Sequence, residues 1–202
     1  MCGNCGVIGI ERNEEAEAIT HRMMEAIRHR GPDDDGLLVA PSVAFGMRRL
    51  SIIDLSGGRQ PVFNEAGNVA VVFNGEIYNY KQLRGTLEGR GHVFRTHSDT
   101  EVIVHGYEEW GEDCLRELRG MFAFALWDAR DSGISGDAAR HAKIFIARDR
   151  LGIKPLYFYH SGNQLIFASE IKALLASGLV PRQLDPAGLR ADSAVHAAAS
   201  AA

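Results

Sequence analysis

The sequence predicts an α+β fold with antiparallel sheets, and three features point there. Strand-like segments come in groups with helical segments between the groups, without the regular strand–helix alternation of a doubly wound parallel sheet. After Gly120 the chain turns β-rich, with "MFAFALWD", "KIFIARD", "PLYFYH" and "QLIFASE" separated by turn residues. "VAVVFNGEIYNY" reads as two strands joined at Asn74-Gly75, the strongest short hairpin signal a sequence offers.

Taken in order, "CGVIGI" is a short apolar strand at the amino end. Glu14 to His29 carries Ile19, Met23 and Ile27 at helical spacing, with basic residues in the last turn and Gly31-Pro32 as a stop. "LLVAPSVAFGMRRLSIID" is strand-rich, and Tyr80 to Glu88 suits a short helix. "SDTEVIVHGYEEWG" opens with a capping box, Ser98 and Glu101, ahead of an apolar stripe. "IKALLASG" closes the folded part with another short helix. The folded domain is expected over 2–190. The Ala-rich 191–202 has no capping or amphipathic logic and reads as a disordered tail or cloning remnant. "RDSGISGDAARHA" is a polar insert between two strands.

Composition narrows the function. A formal net charge of −4 and the lack of any Lys/Arg block argue against a nucleic-acid partner. The longest apolar run, "MFAFALW", is too short to span a bilayer, and an acidic "ERNEEAE" stands where a signal peptide would need its apolar core. Three cysteines make no disulfide framework, so a cytoplasmic location is expected.

The cysteines carry the chemistry. Cys2-x-x-Cys5 offers one pair of zinc ligands, but no second Cys/His pair follows at suitable spacing, so no metal is expected. A redox Cys-x-x-Cys opens a helix, and this one leads into a strand. Cys114 lies on the apolar side of a short helix with Leu115 and Leu118, which suits a buried small hydrophobe. The remaining reading is that Met1 is clipped ahead of a small residue. Cys2 would then combine a thiol with a free α-amine, whose reference pKa of about 7.7–8.0 suits a base.

"MCG…CGVIGI", "RHRGPDDDG", "RRLSIIDLSGGRQP", "NGEIYNY", "THSDTEVIVHGYEEWG", "LRGMFAFALWD" and "ARDRLGIKPLYF" occur in that order. Together they closely resemble the glutaminase domain of the asparagine synthetase B type. That domain belongs to the class II glutamine amidotransferases, which are N-terminal-nucleophile hydrolases. The resemblance implies a four-layer α/β/β/α sandwich of two antiparallel sheets. It implies Cys2 as nucleophile, Asn74 and Gly75 as the oxyanion hole, and Arg49 as the clamp on the α-carboxylate of L-glutamine. Glu76 and Asp99 would hold the α-ammonium, with Leu50 and Ile52 lining the pocket. Taken singly, each position has an ordinary explanation: a type I′ turn at Asn74-Gly75, a first-turn helix acid at Asp99, a solvated strand charge at Arg49, a surface carboxylate at Glu76. The joint constellation is what raises them. The implied activity is a glutaminase supplying ammonia to an asparagine-synthetase-like amidation, and the alternative is a non-catalytic, amidotransferase-like binding module.

Two features depart from the family pattern. Asn4 stands where an apolar residue is usual, and if buried it must find a partner. "LSGGRQP" resembles a synthetase nucleotide loop only superficially. ATP and Mg are therefore expected only for an absent synthetase domain, and no cofactor for this one. The expected partners are an ATP-dependent synthetase domain or subunit, with a homodimer left open, and the chain is expected to be a fragment or a subunit.

Overall fold

The two faces of the first strand, β1 (Gly3–Ile8), go to different layers. Cys5 and Val7 pack with Ile19 and Met23 of helix α1 (Asn13–Ala26) and with Ile27 just after it, while Ile8 turns toward the opposite layer. Gly6 shares the second direction. A Cβ there would sit 2.6 Å from the ring of Phe167 and 2.7 Å from that of Phe45. Those rings meet edge-on, 5.2 Å apart at 79°, a geometry worth about 0.5–1.5 kcal/mol beyond the area buried.

These observations come from a computed structural model, which describes residues 2–50, 58–130 and 142–183. The "LLVAPSVAFGMRR" stretch is a hairpin of β2 (Asp34–Ala40) and β3 (Val43–Arg49). Next come β4 (Val62–Phe63), β5 (Val69–Ile77), α2 (Tyr80–Glu88), α3 (Glu101–Trp110) and α4 (Cys114–Glu117). Then β6 (Gly120–Asp128), β7 (Lys143–Arg148), β8 (Tyr157–Ser161), β9 (Gln164–Ala168) and α5 (Ile171–Ala176) complete the described chain. One sheet has the order β2-β3-β1-β9-β8 and the other β4-β5-β6-β7, and the pairing in both is antiparallel.

Period-two alternation builds the layers. On β5, Val69, Val71 and Phe73 face α2 and α3, and on β6, Phe122, Phe124 and Leu126 do the same. The alternate residues Ala70, Val72, Ala125 and Trp127 face the first sheet, meeting Leu38, Phe45, Met47 and Phe167. Helices α1 and α5 cover the outer face of that sheet. The result is the four-layer α/β/β/α sandwich. No described helix is long and apolar enough to cross a membrane.

Two local expectations are corrected. Asn74-Gly75 is no hairpin turn: β5 runs unbroken through it, pairing Asn74 with Ala123 and Gly75 with Phe122. A type I′ turn needs positive φ at both residues, and neither has it. Gly75 serves close approach instead, since a Cβ there would lie 2.3 Å from the Met121 carbonyl oxygen. The capping box also fails. The Ser98 hydroxyl accepts the Thr100 N–H at 3.0 Å. Glu101 reaches back to the Arg95 and Thr96 N–H groups, both at 2.8 Å. A buried carboxylate satisfies several donors at once where they converge, and these lie before Ser98.

The first helix ends at Ala26, and its expected basic last turn is a separate 3₁₀ turn, Arg28–Arg30. The tail over 191–202, most of the insert (131–141), Met1 and Ile52 lie outside the described residues.

Candidate active site

Cys2 precedes β1, and the pairing of Gly3 with Arg48 brings it beside the end of β3. Its half-buried thiol faces the Leu50 carbonyl, Sγ to oxygen 3.7 Å. Its own carbonyl accepts Arg30 Nε–H at 2.9 Å, and Arg30 is in turn paired with Glu170 at 3.0 Å. The backbone of the proposed nucleophile is thus tied to the helical layer outside the first sheet.

Asn4 is fully buried, and both ends of its side-chain amide are bonded. Its Nδ2 donates to the Ala123 carbonyl at 3.0 Å, and its Oδ1 accepts the Ser169 hydroxyl at 2.7 Å. The first of these bonds crosses between the sheets to the residue that pairs with Asn74. Cys5 is packed against α1, and burial pushes its thiol pKa far above the ordinary value. Cys114 is buried in the opposite core, its thiol pushed up to about 12, mainly by desolvation. Neither thiol suits nucleophilic work at neutral pH.

A cavity of about 190 Å³ gathers Cys2, Arg49, Leu50, Gly75, Glu76 and Asp99. Arg49 is 5% exposed, which removes its reading as a solvated strand charge. Asp99 is also buried, ahead of α3, and accepts the Ile77 N–H at 2.8 Å. Desolvation raises its pKa, the neighbouring Glu76 charge adds to the rise, and backbone N–H groups oppose it. Glu76 is exposed at the rim. One guanidinium and two carboxylates around one small cavity match the opposed charges of an α-amino acid.

Asn74 is 1% exposed, and its Nδ2 has no hydrogen-bond partner among the described residues. Its neighbours in the strand, Phe73 and Gly75, both line the cavity. A buried amide donor left unpaired is costly, so it marks a place where a ligand oxygen would be welcome.

Gln60, Ser98 and Thr100 also line the cavity and were not foreseen from sequence. The Gln60 side chain mimics a strand partner: Nε2 donates to the Phe73 carbonyl at 3.1 Å, and Oε1 accepts the Phe73 N–H at 2.7 Å. "GGRQP" belongs to a recognised segment, but a single glutamine there carries no spacing signal that would assign it.

Comparison with known proteins places the chain as a whole. The glutamine amidotransferase domain family matches residues 1–201. The glutamine-hydrolysing asparagine synthetase 2 of Bacillus subtilis is 44% identical over 92% of this chain and 24% of its own length. Asparagine synthetase 2 of Arabidopsis thaliana is 46% identical over 86% of this chain and 28% of its own. The chain therefore spans only about a quarter of these relatives. Among solved structures, the glutamine phosphoribosylpyrophosphate amidotransferase from B. subtilis superposes with a TM-score of 0.70 at 24% identity, over 88% of this chain and 44% of that one. That likeness shows the two-sheet fold.

Proposed function

This chain belongs to the glutamine amidotransferase domain family, and from that premise we propose that it hydrolyses the side-chain amide of L-glutamine to glutamate and ammonia. The observation that carries the reading is the single cavity shared by Cys2, Arg49, Gly75, Glu76 and Asp99. Arg49 takes the α-carboxylate, and Glu76 with Asp99 takes the α-ammonium, leaving the side-chain amide to reach Cys2. With Met1 removed, the Cys2 α-amine accepts the thiol proton and the sulfur attacks the carboxamide carbon. Asn74 Nδ2–H and the Gly75 N–H meet the negative charge that develops on oxygen, each such donor being worth roughly 3 kcal/mol. The α-ammonium then protonates the amide-derived nitrogen, the C–N bond breaks to release ammonia, and water hydrolyses the γ-glutamyl thioester.

The ammonia is destined for an ATP-dependent synthetase domain or subunit of the asparagine-synthetase kind, as the names of the relatives suggest. The three free thiols support a reducing, cytoplasmic setting. The domain is taken as 2–190, with no cofactor of its own for this reaction.

Intact mass and ammonia release from glutamine test the reading together. The mass lacks methionine, Cys2→Ala abolishes ammonia release, and Cys5→Ala keeps it. Activity retained in Cys2→Ala would sink the proposal, and tight glutamine binding without turnover in the wild-type chain would favour the non-catalytic module.

A further inference from the structure

On the outer helical layer, Glu65, His92, His105 and Glu108 bring one ligand atom each to a common point, all within 4.8 Å of one another. Glu65 lies in the turn before β5 and His92 just after α2, while His105 and Glu108 stand one turn apart on α3. His105 Nδ1 is 3.1 Å from Glu108 Oε2 and 3.6 Å from Glu65 Oε2. His92 Nδ1 is 3.8 Å from Glu108 Oε2 and 4.0 Å from Glu65 Oε1. Ligand atoms about 2.05 Å from a tetrahedral zinc ion stand about 3.3 Å apart, close to these spacings.

The surroundings orient the four donors as a metal site requires. Each imidazole turns Nδ1 toward the centre and Nε2 toward an outer carboxylate: His105 toward Glu101 at 3.6 Å, His92 toward Glu109 at 3.6 Å. Each inner carboxylate has a tether as well. Glu108 Oε1 accepts from Asn64 Nδ2 at 2.6 Å, and Glu65 Oε1 accepts the Val93 N–H at 2.8 Å. Carboxylates behind ligating histidines are the usual outer shell of a zinc site. His105 is fully buried, yet its Nε2 makes no hydrogen bond among the described residues.

We propose that Glu65, His92, His105 and Glu108 form a structural binding site for a divalent transition-metal ion, zinc foremost. Two imidazoles and two carboxylates suit zinc better than magnesium or calcium, which prefer all-oxygen shells. A metal ion there would balance the charge of the two inner carboxylates. It would also tie the β4–β5 turn to the α2–α3 connection, and its neighbour Glu101 holds the Arg95 and Thr96 N–H groups just ahead of Asp99. The proposal is independent of glutamine hydrolysis.

Zinc is titrated calorimetrically into the metal-stripped Cys2→Ala protein, so that the active-site thiol cannot contribute. One equivalent binds and raises the melting temperature. Adding His92→Ala, in the loop after α2, weakens binding by roughly 100-fold or more and removes the thermal shift. Cobalt in place of zinc gives the intense visible absorption of a four-coordinate ion, absent in the double variant. No zinc binding in Cys2→Ala, or binding unchanged by His92→Ala in a folded protein, overturns the assignment.

Discussion

Two residues after Cys2, the Asn4 side chain crosses from β1 to the Ala123 carbonyl of β6. It therefore couples the start of one sheet to the stretch of the other that carries Asn74. Asn4→Ala leaves the Ala123 carbonyl and the Ser169 hydroxyl without that partner. Chemical denaturation is expected to show a loss of about 1–3 kcal/mol. Asn74→Ala should act differently. It removes a donor that has no partner among the described residues, so glutamine turnover falls by about 100- to 1,000-fold while stability holds or rises. Steady-state kinetics beside a melting curve separates the two cases. Asp99 sets function against stability in the same way. Its folded-state pKa lies above the unfolded value, so the folded state binds more protons, and stability falls as pH rises from the unfolded pKa through the folded one. Asp99→Asn is expected to raise the melting temperature at neutral pH while abolishing glutamine binding, and an unchanged or lower melting temperature would contradict this account.

At the scale of elements, β5 is where sequence and structure part. Asn-Gly between two apolar runs signals a hairpin, but a strand of nine residues paired along its length with β6 overrides the local preference. Gly75→Ala tests this. In a turn with positive φ the change would strain only the backbone, whereas here the methyl meets Met121 and Phe122 of the paired strand. A loss of about 1–3 kcal/mol is expected by denaturant titration, together with lost activity. The start of α5 carries a second test. Burial would raise the Glu170 pKa, but Arg30, His29 and Lys172 outweigh it and hold it at about 2. Its contribution to stability is present above the ordinary glutamate range and is lost as pH falls toward 2. Glu170→Gln should therefore flatten the acid limb of melting temperature against pH. Because Arg30 also holds the Cys2 carbonyl, turnover should fall as well.

Across the whole molecule, ligand binding reports on the assembled site. In Cys2→Ala, L-glutamine at a hundred times its Kd is expected to add about 2.7 kcal/mol of stability, and an amine lacking the α-carboxylate should add far less. Equal stabilisation by both would remove Arg49 from its assigned role.

The strands β1 and β6 and the helices at Tyr80–Glu88 and after Asp99 were legible in the sequence. Period and residue type are local properties, and the ordered motifs carried the resemblance. Three matters were decided only by the tertiary structure. One is that Asn74-Gly75 sits inside a strand, because pairing with β6 outweighs turn propensity. Another is that Gln60 acts as a strand partner for Phe73, thirteen positions away. The last is that Glu65 and His92 meet the α3 residues His105 and Glu108. A search for metal ligands confined to closely spaced cysteines could not find that cluster. Its four donors come from three separate elements, and only the packing of α3 over β5 brings them within reach of one ion.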